Sequence, residues 1–129
     1  MRLAGRSAVI TGGSGNIGLA TAARFLSEGA RVLIVDLDGA RVEAALSELK
    51  SNSAHGLAAD VTAAADSARY AAEAQRLFGR VDIFFNNAGI AGAVAPIVDH
   101  ADADFDAVMA VNARGVFLGL KHMLPVMKD

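Results

Sequence analysis

The sequence predicts an α/β fold: a doubly wound parallel sheet between two helical layers, three layers in all, with strand order 3-2-1-4. Three observations predict it. Short apolar runs alternate with segments of helical periodicity along the 129 residues, the pattern of βαβ units with right-handed crossovers. A glycine-rich turn, TGGSGNIG at 11–18, separates the first apolar run from the first helical pattern. Finally, 53% of the residues are hydrophobic and the mean hydropathy is +0.38, more than a small solvated domain needs, which points to strands covered on both faces or to an unusually large interface.

Ser7–Thr11 reads as a buried strand, and 17–28 as a helix closed by Gly29 in the position where a left-handed residue ends a helix. Arg31–Asp36, RVLIVD, is a second strand, continuous in β-branched residues because both faces are to be covered. Segment 40–51 places Val42, Ala45, Leu46 and Leu49 on one helical face and keeps Arg41, Glu43, Ser47, Glu48 and Lys50 in water. A weaker strand, 54–59, ends at Asp60, and a helix over 66–78 stops at Gly79. Residues 81–85 form a fourth apolar strand running into Asn86 and Asn87, and then a loop with Gly89, Gly92 and Pro96. From Asp102 the chain is helical again, with Phe105, Val108, Met109, Asn112, Val116, Leu120 and Met123 on one face and Pro125 at its end.

Composition removes several functions. The length suits one domain. A net charge of -2 and a pI near 5.9 give no electrostatic footprint for nucleic acid or an anionic membrane. No apolar run approaches the roughly 20 residues of a span, and glycines cut the N-terminal apolar stretch too short for a signal sequence. There is no cysteine, hence no disulfide, thiolate metal site or thiol nucleophile, and the expected location is the cytoplasm. His55, His100 and His122 lack ligand spacing, and the acidic run 99–106 lacks calcium-loop spacing, so no metal is expected. Those acids fit the start of a helix instead.

In an open parallel sheet, ligands bind beyond the carboxyl ends of the strands where the strand order reverses. That rule brings together the 11–18 turn, Asp36, Asp60 and 86–89. Gly13, Gly15 and Gly18 spell G-x-G-x-x-G, and Asp36 lies eighteen residues beyond Gly18, close to the about 20 expected for a carboxylate that accepts from a ribose hydroxyl. Backbone N–H groups at a helix N-terminus suit a phosphate, and bare glycines let it approach. Each residue also has a plainer reading: the turn as a simple strand-to-helix link, Asp36 as a solvated strand-end acid, Asp60 as a helix cap in competition with Thr62, Asn86 and Asn87 as turn residues.

These motifs resemble the short-chain dehydrogenase/reductase family, which makes the expected fold Rossmann-type. TGGSGNIG is similar to the family's glycine loop, FNNAG (85–89) to its NNAG motif, Asp60 with Val61 to its adenine-contacting pair, and VNARGVF (111–117) to the helix carrying a catalytic-group asparagine, here Asn112. The resemblance implies cofactor contacts from Gly12, Ser14, Gly15, Asn16, Ile17, Gly18, Asp36, Leu37, Asp60, Val61, Asn86, Ala88 and Gly89. Asn16 stands where the short branch has glycine, while Gly12, Gly15 and Gly18 also fit the G-x-x-G-x-x-G of the extended branch; FNNAG and Asn112 favour the short one. Asparagine tolerates the left-handed region better than other non-glycine residues, so Asn16 can adopt a left-handed turn with little strain. Asp36, with Leu37 offering no cation, implies NAD rather than NADP.

The family transfers hydride between nicotinamide and a secondary alcohol or ketone, with a serine, a tyrosine and a lysine four residues after the tyrosine. The lone tyrosine here, Tyr70, has Ala74 four residues on, and Lys50, Lys121 and Lys128 are preceded at that spacing by Leu46, Phe117 and Leu124. The expectation is a cofactor-binding half-domain, 1–129, truncated before the family's catalytic residues and inactive alone; the alternative is a non-catalytic nucleotide-binding module. A methyltransferase of similar fold is disfavoured by FNNAG. Asn112, placed by periodicity on an apolar stripe, must have its hydrogen bonds met. Strand 81–85 should be a bare sheet edge, and Gly115 should mark close helix packing. The resemblance further implies a homo-oligomer through the 102–127 helix, with Phe117, Leu118 and Met123 as the surface.

Overall fold

The computed structural model describes residues 1–128; Asp129, the last residue of the expected unit, lies outside them. The elements are β1 (Ser7–Thr11), α1 (Asn16–Ser27), β2 (Arg31–Asp36), α2 (Gly39–Leu49), β3 (Ala54–Ala58), α3 (Ala64–Phe78), β4 (Ile83–Phe85), a 3-10 turn (Ile97–Asp99), α4 (Asp102–Met109), a π turn (Ala110–Arg114) and α5 (Gly115–Met127). The four strands form one parallel sheet of order β3-β2-β1-β4, the order expected from the sequence.

The alternation of side chains along β1 and β2 divides the core in two. Ala8, Ile10, Val32 and Ile34 face α1 and α2 and pack with Ala22, Val42 and Ala45. Val9, Leu33 and Val35 point the other way and pack with Tyr70, Ala71, Ala74 and Phe78 of α3 and Met123 of α5. Both faces are covered, so β1 is buried throughout. Full burial of each such Val, Leu or Ile is worth about 1.5–3 kcal/mol, which explains why these strands read as unbroken apolar runs.

Several local expectations are corrected. β4 is shorter than 81–85, because Asp82 turns its carboxylate onto Ser7 N (2.9 Å) and Arg6 (3.0 Å) at the end of the sheet, and Val81 N reaches Val126 O of α5. α2 ends at Leu49 with Lys50 left-handed (φ 47). Lys50 is the only non-glycine residue with positive φ among those described, so Asn16 is not left-handed. It opens α1 as an ordinary helical residue, and the positive φ of the loop is carried by Gly12 (φ 64). Neither Asp60 nor Thr62 caps α3; Ala63 occupies the cap position without a side-chain bond.

The largest correction concerns 102–127. The helix is broken at Ala110–Arg114 by a π turn in which Gly115 N donates to Ala110 O. An inserted residue rotates the downstream helix by roughly one residue's share of a helical turn. The expected stripe therefore does not form one buried face: Phe105, Met109 and Leu120 are exposed, whereas Gly115, Leu118, Gly119 and Met123 are buried. Leu118 and Met123 thus belong to the core, not to an outer surface. Pro125 lies inside α5, which runs on to Met127; the bond lost to proline is one turn from the helix end, where the exposed Lys121 is the residue whose carbonyl goes without it. Gly115 does mark a close approach, since a Cβ there would sit 3.1 Å from Val61 Cγ2.

Candidate functional site

The carboxyl ends of all four strands open into a cleft of about 530 Å³, lined by Gly12, Gly15, Asn16, Ile17, Gly18, Asp36, Leu37, Asp38, Arg41, Ala59, Asp60, Val61, Asn87, Ala88, Gly89, Ile90 and Val111. Of the thirteen cofactor residues expected from the sequence, all but Ser14 and Asn86 line it.

Its floor is the β1–α1 loop. Gly13 N donates to Val35 O (3.1 Å) and Gly15 N to Gly12 O (3.1 Å), which folds the loop back on the sheet. Glycine is required inside the loop: a Cβ on Gly18 would lie 2.2 Å from Gly12 O, and one on Gly13 would lie 2.5 Å from Ile34 Cβ. Gly15 differs. A Cβ there meets Gly12 O alone, at an ordinary 3.4 Å, so the interior does not demand its bareness, and the cleft is the side left open. The first intrahelical bond of α1 runs from Leu19 N to Gly15 O (2.8 Å), which leaves the N–H groups of Asn16, Ile17 and Gly18 without partners four residues back. No side chain caps this end and no acid occupies its first turn, so the positive end of the helix dipole faces the cleft uncompensated.

Asp36 stands at the end of β2. Its Oδ2 accepts from Ser14 N (3.1 Å) and Ser14 Oγ (2.5 Å), and its Oδ1 from Leu37 N (2.8 Å). Three donors match the acceptor-only chemistry of a carboxylate. Ser14 therefore reaches the site through Asp36. At the end of β3, Asp60 Oδ1 accepts from Thr62 N (2.9 Å) and Thr62 Oγ1 (2.7 Å), while Asp60 N donates to Asp66 Oδ2 (2.7 Å). That backbone bond is the main reason the Asp66 carboxyl titrates below its usual range, with Arg69 adding to it.

The β4 side is held by the buried Thr11, which opens the 11–18 turn but is not among the thirteen expected cofactor contacts. Thr11 Oγ1 accepts from Asn87 N (3.0 Å) and Ala88 N (3.1 Å), and Asn87 Nδ2 returns a bond to Thr11 O (3.1 Å). Asn87 thus ties β1 to β4 and lines the cleft. Asn86 does other work: its Nδ2 donates to Val116 O (2.9 Å), joining β4 to α5. Asn112 is exposed rather than stripe-buried, yet fully used: its Oδ1 accepts from Ile90 N and its Nδ2 donates to Ile90 O, both at 2.8 Å. The amide clamps the backbone just beyond Gly89 and sits within the π turn. Ile90 and Arg41 are the contributors missing from the sequence-based set; Thr11 and Asn87 lie in the 11–18 and 86–89 segments that the sequence brings to the site, though not among its thirteen named contacts, and the polar Thr11 at the end of an apolar strand was the available signal.

Tyr70 is buried in α3 with no hydrogen-bond partner for its hydroxyl. Burial pushes its pKa up, the reverse of what a general base requires. Among the described residues no group of His, Asp and Glu side chains could hold a metal ion, and no helix is long and apolar enough to cross a membrane.

The family model described as short chain dehydrogenase matches residues 6–129. The chain is 38% identical over 132 residues to levodione reductase of Leifsonia aquatica, covering 99% of this chain and 49% of that protein. It is 39% identical to momilactone A synthase of Oryza sativa subsp. japonica, covering 98% and 46%. The crystal structure of levodione reductase superposes with a TM-score of 0.92 at 39% identity, covering 98% of this chain and 50% of that one. That of NAD+-bound xylitol dehydrogenase gives 0.93 at 33%, covering 98% and 49%. The chain spans about half the length of the curated relatives it matches.

Proposed function

This chain belongs to the short-chain dehydrogenase family, and from that premise we propose that residues 1–129 form the NAD-binding half of an oxidoreductase that moves a hydride between nicotinamide and a secondary alcohol or ketone. The observation that carries the reading is the uncapped N-terminus of α1, with the bare Gly15 beside it, opening into the same cleft as the Asp36 carboxylate. Unmet N–H donors and a close-approach glycine suit a diphosphate, and a fixed acceptor about the right distance along the sequence suits a ribose hydroxyl. The donor set therefore fits a dinucleotide.

In this reading Asn16, Ile17 and Gly18 donate to the diphosphate, Gly12 and Gly15 give it access, and Ser14 braces Asp36. Leu37, Asp60 and Val61 border the adenosine, Ala88 and Gly89 form the opposite wall, and Asn86 supports that wall from behind. NAD is preferred to NADP because a 2′-phosphate would meet the Asp36 carboxylate. When bound, the nicotinamide supplies or accepts the hydride. Asn112 positions Ile90, and its family role of holding a water on the proton route depends on a lysine that these residues do not provide.

Within the 129 residues no tyrosine precedes a lysine by four, and the lone Tyr70 is buried with a raised pKa. That observation favours a second reading of the unit by itself, a nucleotide-binding module without turnover. We further read it as a cytoplasmic homo-oligomer that pairs through the outer face of 102–127, where Phe105, Met109, Phe117, Leu120 and Leu124 are exposed, with no nucleic-acid or membrane partner. The test is binding: NADH fluorescence should rise saturably on adding the chain, and NAD should raise its melting temperature. A melting curve indifferent to millimolar NAD overturns the cofactor assignment, and turnover of any alcohol by the chain alone overturns its predicted inactivity.

A further inference from the structure

We propose that the groove between the 91–97 loop and α4 docks a basic amphipathic segment of a partner protein. This goes beyond the cofactor reading and does not depend on it. The groove has a volume of about 530 Å³ and shares no lining residue with the cofactor cleft. Its walls are apolar, with Ala91, Ala93 and Ile97 from the loop and Phe105 and Val108 from the helix. The loop is pinned at both ends. Asn112 clamps it at Ile90, and Gly92 (φ 74) lies so close to α4 that a Cβ there would sit 2.5 Å from Val108 Cγ2. At the other end the 3-10 turn closes through Asp99 N donating to Pro96 O (2.9 Å). A groove formed in advance loses little conformational freedom on binding.

The charge around the groove sets the chemistry of its occupant. Asp102, Asp104 and Asp106 line it, and Asp99 lies in the turn at its end. No lysine or arginine occurs from Ile90 to Ala113, and His100 is the one basic side chain on the lining. Among the described residues none of the four carboxylates enters a side-chain hydrogen bond or an ion pair. The helix dipole accounts for Asp102 and Asp104, in the first turn of α4. It does not account for Asp106, four residues after Asp102, the spacing at which like charges destabilise a helix. Cations from outside would remove that cost. Beside the acids, Val94, Ile97, Val98 and Phe105 are exposed, and an apolar patch rimmed by polar residues marks a contact surface for protein. A helix with apolar side chains on one stripe and lysine or arginine flanking it meets both demands. Phe117, Leu120 and Leu124, which serve the pairing of copies proposed above, line a separate hollow beyond the π turn.

The test measures, by fluorescence anisotropy, binding of the chain to a labelled helical peptide of leucine and lysine, with the leucine–glutamate counterpart as control. The lysine peptide should bind saturably and about ten-fold or more tighter than the glutamate one, with an affinity that falls steeply as salt rises. Amide shifts at Ile97, Phe105 and Val108 should locate it. The triple variant Asp102→Asn, Asp104→Asn, Asp106→Asn should bind it about ten-fold more weakly, the scale of three exposed ion pairs, and Asp106→Asn alone, outside the first turn, about two-fold more weakly. Circular dichroism confirms that each variant is folded. Ile97→Ser, at an exposed position, should weaken the lysine peptide and leave its salt dependence in place. Glu43→Gln with Glu48→Gln removes charge from α2 and should leave the affinity unchanged. Equal affinity for the two peptides, or loss in the α2 variant and not in the Asp106 variant, overturns the proposal. Shifts at Ile97, Phe105 and Val108 on diluting the chain without peptide overturn it as well, because the occupant is then a second copy.

Discussion

The β1–α1 loop and the 90–127 limb solve opposite problems. In the loop, interior contacts fix almost every atom: glycines pack against Ile34 and Gly12, and Ser14, Asp36 and Thr11 bond one another's neighbours. In the limb, the residues from Ile90 through Asp99 are exposed, Val94 wholly so, and Phe105 and Phe117 are 62% and 60% accessible. The loop is finished by its own chain, whereas the limb shows apolar surface of the kind that pairs with other protein. Substitutions in the loop should therefore cost stability, and substitutions on the limb's outer face should change association.

The sharpest way to break that contrast lies within the loop itself. Gly18→Ala places a methyl 2.2 Å from a backbone oxygen; overpacking of this kind costs about 3 kcal/mol, enough to leave a marginal domain partly unfolded in a thermal melt. Gly15→Ala meets nothing closer than 3.4 Å and should hold its melting temperature while losing NADH affinity. If the two variants melt alike, the distinction between an internally required glycine and a ligand-facing one is wrong.

Thr11→Val comes next. It keeps the shape of a fully buried side chain but strands Ala88 N, while Asn87 N keeps only its bond to Phe85 O, and an unsatisfied donor costs about 1–3 kcal/mol. Urea denaturation should show a lower midpoint at unchanged slope. A smaller effect is expected on the limb: Leu120→Asp, at an exposed position, should leave the unfolding free energy within about 0.5 kcal/mol of wild type while shifting sedimentation toward monomer. Loss of stability at Leu120 with no change in mass would place its side chain in the core and erase the contrast.

The same division explains what could be read in the sequence. Strands covered on both faces must be apolar throughout, and a turn packed this closely on Gly12 and Ile34 must be rich in glycine, so β1, β2, the loop and the place of Asp36 at the end of β2 were legible from local pattern. The limb was not, because its shape is set by distant contacts. The π turn coincides with Asn112 clamping Ile90, which has no periodic signature; the close packing at Gly115 was legible, from a glycine in mid-helix. Pro125 read as a stop but sits where a helix end tolerates it. Arg41 looked like a solvated helix residue because periodicity reports which face is polar, not what that face overlooks.

β4 lies on the border between the two regions, and its short ladder of three residues makes the polar clamps at its ends decisive. At the cleft end Thr11 and Asn87 hold it; at the other end Asp82 does, accepting from Ser7 N, with Arg6 at 3.0 Å and Arg80 at 3.4 Å. The Asp82 carboxyl is held below its ordinary value, first by the Ser7 backbone bond and then by Arg6 and Arg80. Arg6 is more than half exposed, so its ion pair adds little and the backbone bond carries the effect. A depressed carboxylate stabilises the fold fully above its unfolded pKa, about 4, and that contribution fades as pH falls through the lower folded value. Below about pH 4, then, β4 should loosen before β1 and β2, and amide exchange at Ile83–Phe85 should accelerate ahead of exchange at Val32–Val35. Asp82→Asn should bring the faster β4 exchange up to neutral pH and flatten its acid dependence. Exchange that accelerates equally across all strands would mean that the border strand opens only with the whole sheet, and that the loop and the limb form a single cooperative unit.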